Sequence, residues 1–247
     1  MKLFKTIVVF FIILFVLIIP LAIFLIKFGN NSSFSKYVKG EVIKYPGLAL
    51  FLNLNEPGDG RFLYLGPHHQ QIRINIYSVN NTRVNESVTD WMNEIVSETT
   101  GKKIVVSDLR PVEYKNNGLL GDNDLNNIRK IIVTEAGSVS DLNIVYTSSY
   151  SQKPSSIGLV IHRDTIFVFE DALKKLSEKS DIKNILEKTT IMHEWGHLLG
   201  IDHVYNDDCI MSEIVEVYDD PTYGKMLPTK YCWEELHTIN NMKQQIL

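Results

Sequence analysis

The chain has 247 residues, 45% hydrophobic and 22% charged, with 25 basic against 29 acidic side chains and two cysteines. That balance excludes a disordered charged tail and leaves no electrostatic case for nucleic-acid binding. Two cysteines are too few for a disulfide-dense mini-protein. The first 27 residues hold Lys2, Lys5 and Lys27 and no acid, so the remaining 220 carry 22 basic and 29 acidic groups, a net of −7.

Residues 7–26 come first, a run of 20 apolar positions interrupted only by Pro20. A helix of that length rises about 30 Å, the thickness of a bilayer core. The run is longer than a signal-peptide h-region, and Lys27-Phe28-Gly29-Asn30 offers no small-residue cleavage site. Residues 1–27 are therefore expected to be an uncleaved, single-pass N-terminal anchor. Lys2 and Lys5 precede the run and Lys27, Lys36 and Lys39 follow it, so the positive-inside rule barely discriminates between the two orientations. Residues 28–60 read as a stalk, the polar stretch 28–44 above all, and 61–247 as one folded domain. Asn30, Asn31, Asn80 and Asn85 stand in glycosylation sequons.

Within the body, residues 71–77 alternate apolar and polar side chains at the period of a half-buried strand. Ser87 followed by Asp90 is a capping-box-like start, and Val88, Trp91, Met92, Ile95 and Val96 then share one helical face up to Gly101. A second strand is expected at 103–106, a helix at 124–135 and a third strand at 142–147. Residues 158–161 and 165–169 look like a paired ribbon turning at His162-Arg163-Asp164. Alternating helices and strands favour an α/β sheet domain. From Ser180 the pattern becomes one long helix, apolar nearly all round and hence buried.

The last turns of that helix carry the chemistry. His193-Glu194-Trp195-Gly196-His197-Leu198-Leu199-Gly200-Ile201-Asp202-His203 reads H-E-x-x-H-x-x-G-x-x-H. Residues four apart project from one helical face, so the imidazoles of His193 and His197 can grip one ion. Gly200 can enter a left-handed conformation and turn the chain so that His203 completes the set. Three protein nitrogens plus a water is the coordination of catalytic zinc, whereas structural zinc is closed by four ligands. Glu194 lies beside a ligand on a different side of the helix, placed to take a proton from that water. With average residue usage, five fixed positions coincide in a chain this long with probability on the order of 10⁻⁵, which weighs against three satisfied core histidines.

These residues resemble the metzincin clan of zinc peptidases. The resemblance implies an α+β zincin domain with a mixed twisted sheet, an edge ribbon, the active-site helix, a methionine turn and a C-terminal helix near 231–245. Met211, in Cys209-Ile210-Met211-Ser212, matches the turn methionine, an apolar floor under the histidines and not a ligand. The spacing is most similar to that of archaemetzincins, whose pattern continues H-C-x4-C-x-M-x17-C-x-x-C with four cysteines on a second, structural zinc. Here Val204 and Thr229 stand in place of the first and third cysteines, while Cys209 and Cys232 match the second and fourth. Two thiolates make a poor closed zinc site, so the resemblance implies one catalytic zinc and two neighbouring cysteines. A Cys209–Cys232 disulfide is the hypothesis and a pair of buried free thiols its alternative. A disulfide agrees with an extracytoplasmic domain.

The expected activity is hydrolysis of peptide bonds through a zinc-bound water, with Glu194 as general base and then general acid. Its partners would be a peptide or protein substrate and the membrane. A membrane-tethered zinc-containing binding module without catalysis is the alternative, and a matrixin-like peptidase is the alternative within the enzyme class. Several residues are set aside. His68 and His69 are adjacent and point apart, His162 sits at the ribbon turn, and His237 has no ligand spacing. Trp195 reads as packing. Tyr218 and Tyr223 do not match the spacing of clan members that use a tyrosine. Residues 158–160 resemble the edge strand along which clan members lay a peptide.

Overall fold

The computed structural model describes residues 33–43, 45, 48, 49, 52, 54–67, 69–116, 119–136, 140–176, 180–213 and 227–246, with eight positions between 13 and 24. The elements are α1 (Ser33–Ile43), a 3-10 turn (Pro57–Asp59), α2 (Gly60–Tyr64), β1 (Gln71–Val79), α3 (Val88–Thr100), β2 (Lys103–Val106), β3 (Arg110–Val112), α4 (Asp122–Ala136), β4 (Asp141–Thr147), β5 (Gly158–His162), β6 (Thr165–Phe169), α5 (Glu170–Leu176), α6 (Ser180–Leu198) and α7 (Trp233–Ile246).

The sheet runs β2-β1-β4-β6-β5, with β3 pairing the far end of β1 beyond β2. Every pairing is parallel except β5 on β6. The sequence pattern explains the order. β4 and β6 are buried at every residue, as central strands of a parallel sheet covered on both faces are. β5 is only half-buried and ends the sheet as an antiparallel edge. The mixed α/β architecture and the expected strands at 71–77, 103–106, 142–147, 158–161 and 165–169 are all present.

Helix α3 buries Val88, Met92, Ile95 and Val96 and stops at Gly101, whose φ of +70° lets its N–H reach Ser97 O. Its start differs from the expected capping box. Ser87 makes no side-chain cap bond; the Asn85 side chain instead accepts from Ser87 N–H and donates to Asn184 and Glu187 on α6. Asn80 donates to Tyr114 O and accepts from Tyr114 N–H. The two sequon asparagines within the described residues thus have their amide groups engaged. Short β3, carrying Pro111, and short α5 have no periodic signature in the sequence.

The described residues of 33–60 pack against the body. α1 packs against α2 and α7, and Ile43, Ala49 and Leu54 are buried. Lys39 of α1 donates to Asp59 at 3.1 Å, both side chains under one-tenth exposed. The polar residues that suggest a solvated tether include a cation inside an ion pair. Contacts with the body thus extend to α1, N-terminal of residue 61. Most of the apolar run 7–26 lies outside the described residues. Its described members are helical, with Ile13, Val16, Leu17, Ile18, Leu21 and Phe24 exposed. Among the described residues no helix is long and apolar enough to cross a membrane, so the expected anchor is neither present nor excluded there.

Removing Lys39 leaves Asp59 buried without this cation, a loss of about 3–5 kcal/mol. Lys39→Ala should lower the melting temperature by roughly 10 °C, and a chain cut to 61–247 should melt lower still. Equal melting of the cut chain and one starting at residue 28 would make the segment a passive spacer.

Candidate metal centre and cleft

The centre is built on the C-terminal end of α6. Ile191, Met192, Trp195, Leu198 and Leu199 are buried, which fixes the helix rotation and leaves His193 and His197 on one shared face. Trp195 donates to Thr99 of α3 at 2.9 Å and packs on Tyr64, with ring centroids 4.9 Å apart, so it is a packing residue. The helix ends at Gly200, whose φ is +79°. Gly200 N–H bonds His197 O at 2.9 Å and Ile201 N–H bonds Gly196 O at 3.0 Å, the paired closure of a glycine-terminated helix. The chain turns, and His203 returns to the other two histidines.

The three Nε2 atoms lie 3.0, 3.1 and 3.2 Å from one another. Two nitrogens at about 2.0–2.1 Å from a tetrahedral zinc are roughly 3.3–3.4 Å apart, so the triangle has the size of a three-nitrogen zinc face. The tautomers agree. His193 Nδ1 is 2.8 Å from Ile210 O and His197 Nδ1 is 3.2 Å from Ile201 O. A carbonyl only accepts, so both Nδ1 atoms carry the proton and both Nε2 atoms present lone pairs. Facing lone pairs at this distance suit a shared cation. Among the described residues this is the one cluster of three histidines.

Glu194, 6% exposed, faces a cleft of about 360 Å³ that it lines with His197, Gly158, Leu159, Val160, Lys153 and Asp202. Edge strand β5 is one wall. A Cβ on Gly158 would sit 2.9 Å from Glu194 Cγ and 2.5 Å from Thr190 Cγ2, so a bare backbone here lets strand and carboxylate lie side by side. Pro57 and Gly58 close the Gly200 end, where a Cβ on Gly58 would be 3.2 Å from Gly200 Cα.

Beneath the helix lies Met211, fully buried. A Cβ on Gly196 would collide with its Sδ, so the sulfur rests on the helix backbone between the two ligating turns. The methionine turn is held on several sides. Val204 N–H bonds Met211 O at 2.9 Å. Cys209 and Cys232 form a disulfide, with Cα atoms 5.1 Å apart, joining the turn to the start of α7. Glu235 Oε1 accepts from Met211 N–H at 2.6 Å and its Oε2 from Cys232 N–H at 2.8 Å. Tyr231 Oη donates to Met192 O at 2.5 Å.

Glu235 and Tyr231 do not stand out in the sequence. The one signal there is an acid three residues after Cys232, the capping-box position of the last helix. His162 is placed by a chain of amides. Arg129 donates to Asn55 Oδ1 at 3.1 Å, which turns the Asn55 amide so that Nδ2 donates to His162 Nδ1 at 3.0 Å. His162 Nε2–H then donates to Asn126 Oδ1 at 2.6 Å. His237 stacks on Trp233. His68, Tyr218 and Tyr223 lie outside the described residues.

No protein-family model matches the chain, and comparison with curated protein sequences finds no match. Solved structures do match. Archaemetzincin from Methanopyrus kandleri aligns over 72% of this chain and 98% of its own at 15% identity, with a TM-score of 0.55. A zinc-dependent peptidase from Methanocorpusculum labreanum aligns over 68% and 100% at 14% identity and TM-score 0.48. Archaemetzincin from Archaeoglobus fulgidus aligns over 68% and 99% at 14% identity and TM-score 0.45. The chain thus shares its fold with the Methanopyrus kandleri archaemetzincin.

Two outcomes follow from these contacts. Gly196→Ala forces the helix off Met211 and should cost about 1–3 kcal/mol, read by thermal unfolding; an unchanged melting temperature would remove the methionine floor. Burial, reinforced by Arg129, lowers the His162 pKa. The unfolded chain then binds the proton first, so stability is full above about pH 6.5 and falls as the pH drops below that value. His162→Gln should flatten this part of the stability–pH curve, and an unaltered curve would refute the assignment.

Proposed function

We propose that this chain is a zinc-dependent metallopeptidase in which His193, His197 and His203 hold one ion and Glu194 moves the proton. The carrying observation is the triangle of Nε2 atoms, with the Nδ1 atoms of His193 and His197 placed on backbone carbonyls so that the neutral rings turn their lone pairs to one another. A zinc ion there would polarise the scissile carbonyl and lower the pKa of a coordinated water to about 7. Glu194 accepts the proton of the attacking water and hands it to the leaving amine. Its neighbour β5 presents an unpaired strand edge to the cleft among the described residues, against which an extended peptide can add by main-chain hydrogen bonds.

The proposal extends to the setting. The apolar run 7–26 is long enough for a single-pass anchor, and the Cys209–Cys232 disulfide suits an extracytoplasmic domain.

The test is zinc content together with a chelator-reversible peptidase assay. Glu194→Gln should keep stoichiometric zinc and lose at least about 10²-fold in turnover, whereas His197→Ala should lose both zinc and activity. Stoichiometric zinc with no cleavage across a broad peptide library would favour a zinc-containing binding module. Absence of zinc would overturn the reading.

A further inference from the structure

We propose that Glu235 is a positioning residue for the metal centre, acting on His193 through a single peptide unit. The inference rests on the zinc reading above. The carbonyl of the Ile210–Met211 peptide accepts the His193 Nδ1–H at 2.8 Å. The N–H of the same peptide donates to Glu235 Oε1 at 2.6 Å. Carboxylate, amide and imidazole therefore form one continuous chain. It is enclosed throughout: His193, Ile210, Met211 and Glu235 are each at most 1% exposed.

The physical consequence follows from the direction of the bonds. A carboxylate on an amide N–H draws the hydrogen and polarises the unit, and in a nearly dry interior this makes the carbonyl oxygen a stronger acceptor. A stronger acceptor on Nδ1–H raises the electron density at Nε2 and fixes the ring angle. Metal-ligating histidines commonly lean directly on a carboxylate or a carbonyl; here the carbonyl is itself backed by a carboxylate.

Helix capping does not account for this. Glu235 occupies the third position of α7, and its Oε2 accepts from Cys232 N–H at 2.8 Å, the ordinary duty of an acid at that place. That leaves Oε1 directed into the methionine turn. The disulfide already ties Cys209 to Cys232, so the turn is fastened without the carboxylate. What a disulfide cannot do is orient the plane of the Ile210–Met211 peptide, and the carboxylate does.

The experiment compares the parent chain with Glu235→Gln and Glu187→Gln by competition titration of the metal-free proteins with zinc against a chromophoric chelator. A glutamine offers one acceptor oxygen to two N–H groups, so one bond is lost. Glu187 is a matched control. It is 1% exposed, holds α6 through Tyr146 and Asn85, and has no bond to the Ile210–Met211 peptide. Glu235→Gln should weaken zinc binding about tenfold or more, with Glu187→Gln within roughly twofold of the parent. The His193 Nδ1–H proton resonance of the metal-free protein should also move upfield in Glu235→Gln alone. Equal zinc affinity of parent and Glu235→Gln, or equal weakening in both variants, would overturn the proposal. If the parent binds no zinc, the zinc reading fails, and an unmoved Nδ1–H resonance would then overturn the relay separately. Should Glu235→Gln not fold, Glu235→Asp withdraws the carboxylate by one methylene and is judged by the same two measurements.

Discussion

Two imidazole nitrogens that present lone pairs to each other at 3.0 Å, at least one of them in a dry interior, repel unless a cation lies between them. That constraint organises the site. In the neutral rings the one N–H of each imidazole is directed to Ile210 O and Ile201 O. Neither carbonyl is free to move away. Ile201 follows the left-handed turn that ends α6, and Ile210 belongs to the turn packed under the helix. In the zinc reading proposed above, binding of the ion would offset the cost of bringing the three rings together.

The backbone comes unusually close to itself around this point, and glycines allow it. Gly196 admits the Met211 sulfur against α6. Gly158 admits edge strand β5 against Glu194. Gly58 and Gly200 meet at the end of the cleft. Each removes a side chain where two elements must touch, and together they let Met211, β5 and the 3-10 turn close in on the C-terminal end of α6. The remainder of the domain keeps those elements in place. Lys39–Asp59 ties α1 to the 3-10 turn beside the cleft, and the Arg129–Asn55–His162–Asn126 chain joins Asn55, just before that turn, to the end of β5 and to α4.

The parts legible in the sequence are those whose physics is local. The His193–His197 spacing depends only on helical periodicity, Gly200 and Gly101 only on the sign of φ, and β6 only on a short β-branched and aromatic run. The parts that escape depend on partners distant in the chain. Lys39 looks like any solvated lysine until Asp59, twenty residues on, is placed beside it. Glu235 looks like one of the acids that favour a helix start, and its second role requires Met211 to be 24 residues back in sequence but 2.6 Å away in space. Asn85 resembles a glycan acceptor until α6 occupies its amide. Ser87 resembles a cap until Asn85 takes that duty over. Three-residue β3 is below the length at which a period can be read.

The cysteine arrangement shows how one support can replace another. A four-thiolate zinc site would tie the methionine turn to the last helix through an ion, with strength set by metal supply and by deprotonated thiols. Val204 and Thr229 cannot serve as such ligands, and the remaining two cysteines are bonded to each other. The bond spans a sequence separation of 23 residues, which in the chain-entropy picture is worth about 3 kcal/mol. That stabilisation needs no metal but does need an oxidising setting. Val204 ties to the same turn through the backbone, its N–H bonding Met211 O at 2.9 Å. The floor beneath the three histidines is thereby held by a covalent bond and by backbone and carboxylate hydrogen bonds, none of which needs a metal.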